Sequence, residues 1–348
     1  MNITIDGKLI HNTSQTYIIA EISCNHKQQL RKAIQLIEQA KWAGADAVKM
    51  QVYYPQDMTI KCRNPLFKLK NSTPWEGEYL HDLYVQGSTP YPWASQLSEV
   101  AKKVGITLFS SVFSVEAVDF LEEHVRPPAY KVGSFEISHG DLLLRLVETK
   151  KPIIVSTGIA NMWEITRVDK ILSSVPHIFL KCSSTYPTSS YECNLLNIDA
   201  LRSMLHCDYV GLSDHTSGIN TAIASVALGA KVIEKHIKLD EAGKSLDDSF
   251  SLVPKKFREM VYGVREVEMA LGSSEWTLTT GQKEARQELG RSIFVVEDME
   301  QGDVFTLDNI KVIRPGHGMD PWKYHDIIGR KITRHTSRGT PLTQMMVG

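Results

Sequence analysis

Two histidines lie near the ends of consecutive apolar segments, a position where metal ligands and acid–base groups are often found. The segment YVGLSDH, residues 209–215, ends on His215, and the segment KVIEKHI, residues 231–237, carries His236. If these segments are neighbouring strands, they stand about 5 Å apart and their imidazoles can meet at one metal ion. Two imidazoles with oxygen ligands suit Mn²⁺, Fe²⁺, Co²⁺ or Zn²⁺. The spacing leaves a second interpretation open, in which both histidines are hydrogen-bonded core residues.

Lysines and hydroxyl side chains near the ends of other β-rich segments indicate a site that binds anions. Lys49 lies in AVKMQ and Lys131 in AYKVGS, and serines or threonines end several more segments. A buried lysine is costly unless it is paired or bound to a ligand. Ammonium groups together with several hydroxyl donors suit a phosphate and a carboxylate. A structural ion pair would explain one such lysine, but the recurrence of polar strand ends favours a site.

Three carboxylates are candidates for sugar binding or proton transfer. Glu21 lies in the first β-rich segment, Glu136 follows the fourth, and Asp247 follows the last. Carboxylates at such positions can bind sugar hydroxyl groups or act as general acids and bases.

The elements that must position these residues form a repeating pattern. Between residue 17 and about residue 270, β-rich runs alternate with stretches of helical periodicity. Such β/α units in series predict a (β/α)8 TIM barrel, whose chemistry lies at the carboxyl ends of the strands. A doubly wound open sheet is the alternative, but the GxGxxG loop typical of that fold is missing. The β-rich runs are residues 17–23, 47–51, 107–113, 129–134, 152–158, 178–184, 209–215 and 231–237, and helix candidates between them include 30–44, 92–105, 115–124 and 140–150.

A long insertion interrupts the barrel pattern at residues 52–91. It is too long for an ordinary βα loop, and long loops in compact domains are usually functional. We interpret it as a substrate lid in preference to an irregular decoration of the barrel.

After residue 271 the alternation of β runs and helical stretches ends. Short β runs without a long amphipathic helix follow, which indicates a second domain. We predict a barrel domain over 1–271, a linker over 272–284 and a small β-rich domain over 285–348. At roughly 60 residues the last domain would be marginally stable alone, so we expect contacts with the barrel or with a partner chain to stabilise it.

Composition excludes several classes of protein. The net charge of −1 gives no sign of nucleic-acid binding, and no apolar run reaches the roughly 18 residues of a membrane span. The N-terminal segment MNITIDGKLIHNTSQ lacks the pattern of a signal peptide. Five scattered cysteines without CxxC spacing indicate reduced thiols, and we expect a cytoplasmic protein.

Several motifs together resemble the sialic acid synthase family. They are IIAEISCNH, GADAVKMQ, YKVGSFE, IVSTG, TYPT, GLSDHT and ALGAKVIEKHIKLD, and the C-terminal RSIFVVEDMEQGDVFTLDNIKVIRPGHG resembles that family's antifreeze-like (SAF) domain. The resemblance covers nearly the whole chain in order. Within the family, WEGEYLHDLYVQGSTPYPW, LKCSSTYPT and LDDSFSL look most like pseudaminic acid synthases.

The resemblance implies a condensation of phosphoenolpyruvate with an acetamido hexose, 2,4-diacetamido-2,4,6-trideoxy-L-altropyranose. C3 of phosphoenolpyruvate attacks the aldehyde of the open-chain sugar, water adds at C2, and phosphate leaves by C–O cleavage. A divalent metal, usually Mn²⁺ with Mg²⁺ or Co²⁺ as alternatives, polarises the aldehyde or orients water. The resemblance also implies a domain-swapped homodimer.

The same resemblance implies roles for individual residues. His215 and His236 hold the metal, Lys131 and Glu136 take part in catalysis, and Arg314 reaches the sugar from the partner subunit. Residues that face the sugar or the metal-bound water are Glu21, Gln51, Tyr186 and Asp247, and those that hold phosphoenolpyruvate are Lys49, Ser111, Lys131, Ser134, Ser156, Ser184 and Ser213.

Two departures from the family pattern are visible. Val112 follows the serine pair of the third strand where proline is usual, and Ser184 stands where sialic acid synthases commonly have asparagine. The second departure fits the pseudaminic-type pattern. The alternatives are an N-acetylneuraminate or legionaminic acid synthase, a non-catalytic carbohydrate-binding protein, and a metal-dependent aldolase that needs no phosphoenolpyruvate.

Overall fold

The barrel is the main feature of the computed structural model, which describes residues 2–70, 73–207, 209–240 and 245–348. An antiparallel hairpin comes first, with strands β1 (Ile3–Ile5) and β2 (Lys8–Ile10). Eight parallel strands follow: β3 (Tyr17–Glu21), β4 (Ala47–Gln51), β5 (Thr107–Ser111), β6 (Tyr130–Val132), β7 (Ile153–Ser156), β8 (His177–Cys182), β9 (Val210–Asp214) and β10 (Val232–His236). They close into a barrel because β10 pairs with both β9 and β3. The predicted TIM barrel is confirmed.

Helices in the connections cover the outside of the barrel. They are α1 (Leu30–Ala43), α2 (Leu80–Gly87), α3 (Tyr91–Val104), α4 (Val115–His124), α5 (Gly140–Glu148), α6 (Met162–Leu172), α7 (Asn197–Met204), α8 (Asn220–Ala227) and α9 (Pro254–Leu271). Their ends follow local signals. Gly44 ends α1 with a left-handed φ of 90°, and the Ser114 hydroxyl caps α4 by accepting a hydrogen bond from the Ala117 amide.

Alternation along each strand sorts side chains between an outer core and the barrel interior. On β3, Ile18 and Ala20 pack in the large cluster between strands and helices, whereas Tyr17 and Ile19 belong to a separate interior cluster. Strands buried on both faces read as nearly continuous apolar runs, which is why polar residues at their ends stand out in the sequence.

The N-terminal hairpin fills the end of the barrel opposite the polar strand ends. Ile3, Ile5 and Ile10 are buried in the same interior cluster as Tyr17 and Val232, the first residues of β3 and β10. Periodicity in the sequence does not predict this hairpin, because each of its strands has only three residues.

The insertion at 52–91 is ordered around α2 and two 3₁₀ turns, Pro55–Asp57 and Pro65–Phe67. Residues 71 and 72 of the insertion lie outside the described residues. The Trp75 indole N–H donates a hydrogen bond of 2.9 Å to the Leu246 carbonyl, in the loop after β10. The insertion therefore contacts the loop that carries Asp247.

The chain divides into two compact units, Met1–Gly272 and Ser273–Gly348. The elements of the second unit are α10 (Thr280–Leu289), the antiparallel strands β11 (Ser292–Val295) and β12 (Ile310–Ile313), and a short helix α11 (Tyr324–Ile327). Its small core includes Ile293 and Phe305. The segment predicted as a linker, 272–284, includes the first residues of α10. Over the described ranges, no helix combines the length and the apolar character needed to cross a membrane.

Candidate active site

A cavity of about 1030 Å³ lies at the carboxyl ends of the barrel strands. Most of the predicted site residues line it: Lys49, Gln51, Ser111, Lys131, Ser134, Glu136, Ser156, Ser184, Tyr186, Ser213, His215, His236 and Asp247. Two do not. Glu21 is fully buried beside Lys49, and Arg314 is exposed in the second unit. The volume is at the upper end of the range for small-molecule sites, enough for two small substrates together.

The alternation of β10 decides which of its polar residues face this cavity. Glu234 and His236, two residues apart, both line the cavity, whereas Lys235 between them points the other way. Lys235 forms a buried ion pair of 2.9 Å with Asp214 and also donates to the Thr216 carbonyl. Asp214 and Lys235 therefore support the strand ends from outside the barrel and do not face the cavity.

Lys49 is the best-paired cation of the interior. Its ammonium group bonds the Glu21 carboxylate, donates to the Ser111 hydroxyl at 2.6 Å, and lies 3.8 Å from Glu234 Oε1. Burial alone would lower the pKa of Lys49, but the carboxylates of Glu21 and Glu234 outweigh it and raise that pKa. The structure thus makes Glu21 a partner that keeps Lys49 charged.

Lys131 provides a second cation with spare hydrogen-bonding capacity. Its Nζ donates to the Ser156 hydroxyl at 2.7 Å and to the Val132 carbonyl at 2.8 Å. Burial lowers the pKa of Lys131, while the negative charge of Glu234 opposes that effect. An ammonium has three N–H donors, so one remains available for an anion in the cavity.

A cluster of hydroxyl groups lies beside Lys131. The Ser134 and Ser184 hydroxyls are 2.5 Å apart, and Ser184 has a left-handed φ of 51°. A non-glycine residue in this conformation is uncommon, and such strain concentrates at functional sites. Gly158 also has a positive φ, of 34°, and a Cβ there would collide with both serines. The glycine of the IVSTG motif therefore makes room for the hydroxyl pair.

The two histidines meet at the rim of the cavity, as their strand positions predict. The ring centroids of His215 and His236 are 5.3 Å apart, and Phe250 packs against both rings. Burial, together with the positive charges of His236 and Lys235, lowers the pKa of His215 well below its ordinary value. His215 is therefore neutral at physiological pH, which is the form that binds metals.

The donor set suits a divalent cation with open coordination positions. His236 Nδ1 is buried and has no hydrogen-bond partner within the described part of the chain, and Asp247 Oδ2 lies 3.4 Å from it. Across residues 2–70, 73–207, 209–240 and 245–348, no group of three or more His, Cys, Asp and Glu side chains is arranged to hold a metal. Two imidazoles would thus leave the remaining positions to water and substrate oxygens.

Glu136 has the properties of a proton-transfer group. It follows β6, lines the cavity, and folds back over Gly133, where a Cβ would collide with its carboxylate. Burial raises the pKa of Glu136 to about 7, although Lys131 and Lys49 oppose the effect. A carboxyl group that titrates near neutral pH can both donate and accept a proton under working conditions.

Sequence reasoning overlooked several residues of the cavity. Glu234 lines the cavity and accepts a hydrogen bond of 3.2 Å from Ser213, and its two-residue spacing from His236 is the signal that could have placed it on the same face. Cys182 lies 3.8 Å from His215 Nδ1 and ends β8 on the cavity side. The insertion contributes Trp75 and Tyr84, which lie in the WEGEYLHDLYVQGSTPYPW motif but are not among the predicted site residues.

Comparison with known proteins agrees with the architecture. Residues 36–276 match the model of the NeuB family, and residues 290–348 match that of the SAF domain. The pseudaminic acid synthase of Campylobacter jejuni is 39% identical over 95% of this chain and 96% of that protein. The pseudaminic acid synthase of Helicobacter pylori is 37% identical over 94% of this chain and 96% of that protein.

A solved structure shows the same architecture. It is the N-acetylneuraminic acid (sialic acid) synthetase from Leptospira borgpetersenii in complex with citrate, which is 27% identical with a TM-score of 0.73. The similarity covers 82% of this chain and 94% of that one. The resemblance inferred from the motifs is confirmed: this chain belongs to the NeuB family and carries a SAF domain after its barrel.

Proposed function

We propose that this protein is a pseudaminic acid synthase, a transferase that condenses phosphoenolpyruvate with 2,4-diacetamido-2,4,6-trideoxy-L-altropyranose. The observation that carries the proposal is the meeting of two buried lysines, each bonded to a strand-end serine, with two histidines in one cavity. The names of the full-length relatives from Campylobacter jejuni and Helicobacter pylori support the choice of sugar.

Phosphoenolpyruvate would bind to the cationic and hydroxyl groups of the cavity. Lys49 and Lys131 supply charge, and the serine hydroxyls supply donors for the phosphate and carboxylate oxygens. The serines in question are Ser111, Ser134, Ser156, Ser184 and Ser213. Glu21 and Glu234 already balance the charge of Lys49, so this lysine stays protonated before the substrate arrives.

The carbon–carbon bond would form between C3 of phosphoenolpyruvate and the sugar aldehyde. The aldehyde oxygen then needs a proton, and the water that adds at C2 must lose one. We assign both transfers to Glu136, whose pKa of about 7 lets it donate in the first half and accept in the second. Cleavage of the C2–O bond releases phosphate and leaves the keto acid.

His215 and His236 would hold a divalent cation, for which Mn²⁺ is our first choice and Mg²⁺ or Co²⁺ are alternatives. When bound, such an ion polarises the sugar carbonyl as a Lewis acid. Gln51, Tyr186 and Asp247 line the same cavity and would orient the sugar hydroxyl groups.

We also propose that the active protein is a domain-swapped homodimer in which Arg314 of one subunit completes the sugar site of the other. The exposure of Arg314 in the SAF unit is compatible with this role. The SAF match includes this residue.

The deciding experiment is phosphate release from phosphoenolpyruvate, measured in parallel with three sugars. These are the altropyranose and the sugars that would yield N-acetylneuraminate and legionaminic acid. We expect the altropyranose to have the highest kcat/KM. Higher turnover of either other sugar would replace the proposal with the corresponding synthase. Sugar binding without phosphate release would favour a carbohydrate-binding protein, and turnover without phosphoenolpyruvate would favour an aldolase.

A further inference from the structure

We propose that Trp75 and the apolar side chains beside it are the specificity-determining surface for the sugar. This surface would select a hexose that carries methyl-bearing substituents over one that carries hydroxyl groups at the same positions. The inference rests on the function proposed above, because it concerns the sugar of that reaction. We call the surface the apolar wall, and it consists of Trp75, Leu80, Leu83, Tyr84, Phe113 and Leu246, all of which line the cavity.

The cavity is divided in chemical character between strand ends and insertion. The strand ends contribute lysines, serines and histidines, which suit the phosphate, the carboxylate and a metal. Besides the polar Asp57 and Thr73, the insertion contributes mainly apolar and aromatic side chains, which include Trp75, Leu80, Leu83 and Tyr84. Anion and metal binding do not require any of these four side chains. An apolar surface facing a polar site gains free energy when a ligand covers it with apolar groups.

Trp75 is held in place from two sides. Its indole N–H bonds the Leu246 carbonyl at 2.9 Å, and its ring lies 5.5 Å from the Tyr186 ring at a tilt of 45°. Tyr186 in turn lies 4.4 Å from the His215 ring. The indole is therefore fixed beside the residues expected to meet the sugar, while remaining partly exposed to the cavity.

The rest of the apolar wall is also rigid. Tyr53 packs edge-on against both Tyr84, at 6.1 Å, and Phe113, at 4.9 Å between ring centroids. Edge-to-face aromatic pairs fix ring orientation. Tyr84 and Glu136, the proposed acid–base group, line the same cavity.

The chemical difference between the candidate sugars matches such a wall. The altropyranose carries a methyl group at C6 and an acetamido group at C4, where N-acetylmannosamine carries hydroxyl groups. An apolar pocket discriminates one small group by about 10- to 200-fold, and it rejects an added hydroxyl by about 100-fold. A preference of about 10- to 100-fold is therefore what this wall can supply.

The test compares Trp75→Ala, Trp75→Phe and Trp42→Ala in the full-length protein. Trp42 is an exposed tryptophan on α1 outside the cavity, and it serves as the matched control. The quantity measured is the ratio of kcat/KM for the altropyranose to that for N-acetylmannosamine, with the KM for phosphoenolpyruvate recorded alongside. We expect Trp75→Ala to reduce this ratio about 10-fold or more, with the phosphoenolpyruvate KM within about twofold of wild type. In Trp75→Phe and Trp42→Ala, this ratio should stay close to the wild-type value.

Equal loss of both kcat/KM values in Trp75→Ala and Trp75→Phe would overturn the proposal. That result would mean that the indole N–H only positions the Leu246 loop. Leu80→Asn provides a second variant with little change of volume, and it should also reduce the ratio. An unchanged ratio in Leu80→Asn would count against the wall even if Trp75→Ala does not fold. If the wild-type protein releases phosphate with neither sugar, the proposed function itself fails, which is a separate result.

Discussion

At the scale of single residues, the barrel interior groups two buried lysines with two buried glutamates. Lys49 bonds Glu21, and Glu234 lies close enough to influence both Lys49 and Lys131. Removing one member of such a buried set usually costs about 3–5 kcal/mol, because the remaining charge is left without a partner. Lys49 is therefore held charged and oriented by the protein before any anion binds.

Glu136→Gln should change the pH dependence of stability. The folded state holds the pKa of Glu136 at about 7, above its ordinary 4.5, so the folded protein keeps a proton that the unfolded chain loses. The free energy of unfolding must then fall as pH rises between these two values. Between pH 4 and pH 8, the free energy of unfolding of the wild type should fall by about 1–3 kcal/mol relative to that of Glu136→Gln.

Urea unfolding at both pH values measures this difference for Glu136. The matched control is Glu123→Gln, at an exposed glutamate of α4. If the difference in free energy of unfolding between wild type and Glu136→Gln is the same at the two pH values, the assignment of a raised pKa to Glu136 is wrong. In kinetics, Glu136→Gln should also flatten the pH profile of kcat near pH 7.

His236→Ala should weaken metal binding in the absence of any substrate. His236 Nδ1 is buried without a hydrogen-bond partner among the described residues, so a cation would satisfy it. Loss of a direct ligand should lower Mn²⁺ affinity by more than the roughly 10- to 100-fold that follows loss of a group hydrogen-bonded to a ligand. Calorimetric titration with Mn²⁺ measures the affinity, and His124→Ala, at an exposed histidine, is the control. Unchanged Mn²⁺ affinity in His236→Ala would mean that the metal does not bind at His236.

At the scale of elements, strand alternation separates residues with similar chemistry into different roles. Glu234 and Lys235 are neighbours on β10, yet one faces the cavity and the other the outer layer. The β9 residues behave in the same way, since Ser213 faces inward while Asp214 pairs with Lys235. A polar residue at a strand end is therefore functional or structural according to its parity along the strand.

Lys235→Met should destabilise the protein without damaging the site. The change leaves Asp214 buried without its cation, and we expect a loss of about 3–5 kcal/mol in the free energy of unfolding. The KM for phosphoenolpyruvate should stay close to wild type. Glu234→Gln, one residue earlier, should instead raise that KM, because Lys49 and Lys131 lose a carboxylate that supports their charge. Denaturant unfolding and steady-state kinetics distinguish the two variants, and a reversed pattern would mean that the assigned faces are wrong.

At the scale of the whole molecule, the chain joins a catalytic barrel to a small unit with its own core. The barrel is closed on one side by the N-terminal hairpin, so its cavity is open only near the carboxyl ends of the strands. The proposed homodimer would bring Arg314, from the second unit, to the cavity of another subunit. This arrangement makes catalysis depend on two chains.

Arg314→Ala and Lys131→Ala should each be nearly inactive, but co-expression of the two should restore activity. In a domain-swapped dimer, each mixed dimer has two sites. One site combines the intact barrel of the Arg314→Ala chain with the intact Arg314 of the Lys131→Ala chain, and the other site carries both changes. Random pairing makes half of the dimers mixed, so about a quarter of wild-type activity should return. Phosphate-release kinetics on the co-purified mixture measure the recovery. No recovery in a mixture shown by tag selection to contain mixed dimers would exclude a contribution from the partner.

The sequence by itself determined the barrel, the residues at its strand ends and the pairing of His215 with His236. The reason is that β/α periodicity is local and that the carboxyl ends of parallel strands must share one rim. The change of pattern after residue 271 indicated the second domain, and family motifs added its SAF type and the class of reaction. Most of the residues predicted for the site from the chain alone do line one cavity at the strand ends.

Only the tertiary structure decided which polar residues pair with one another and which meet a ligand. The partner of Glu21 is Lys49 across a strand junction, and the partner of Trp75 is Leu246, which is 171 positions away in the chain. Local periodicity carries no information about such contacts, because they depend on how the barrel closes and how a long insertion folds over its rim. For the same physical reason, the hairpin at the opposite end and the apolar wall beside Trp75 became visible only in the folded chain.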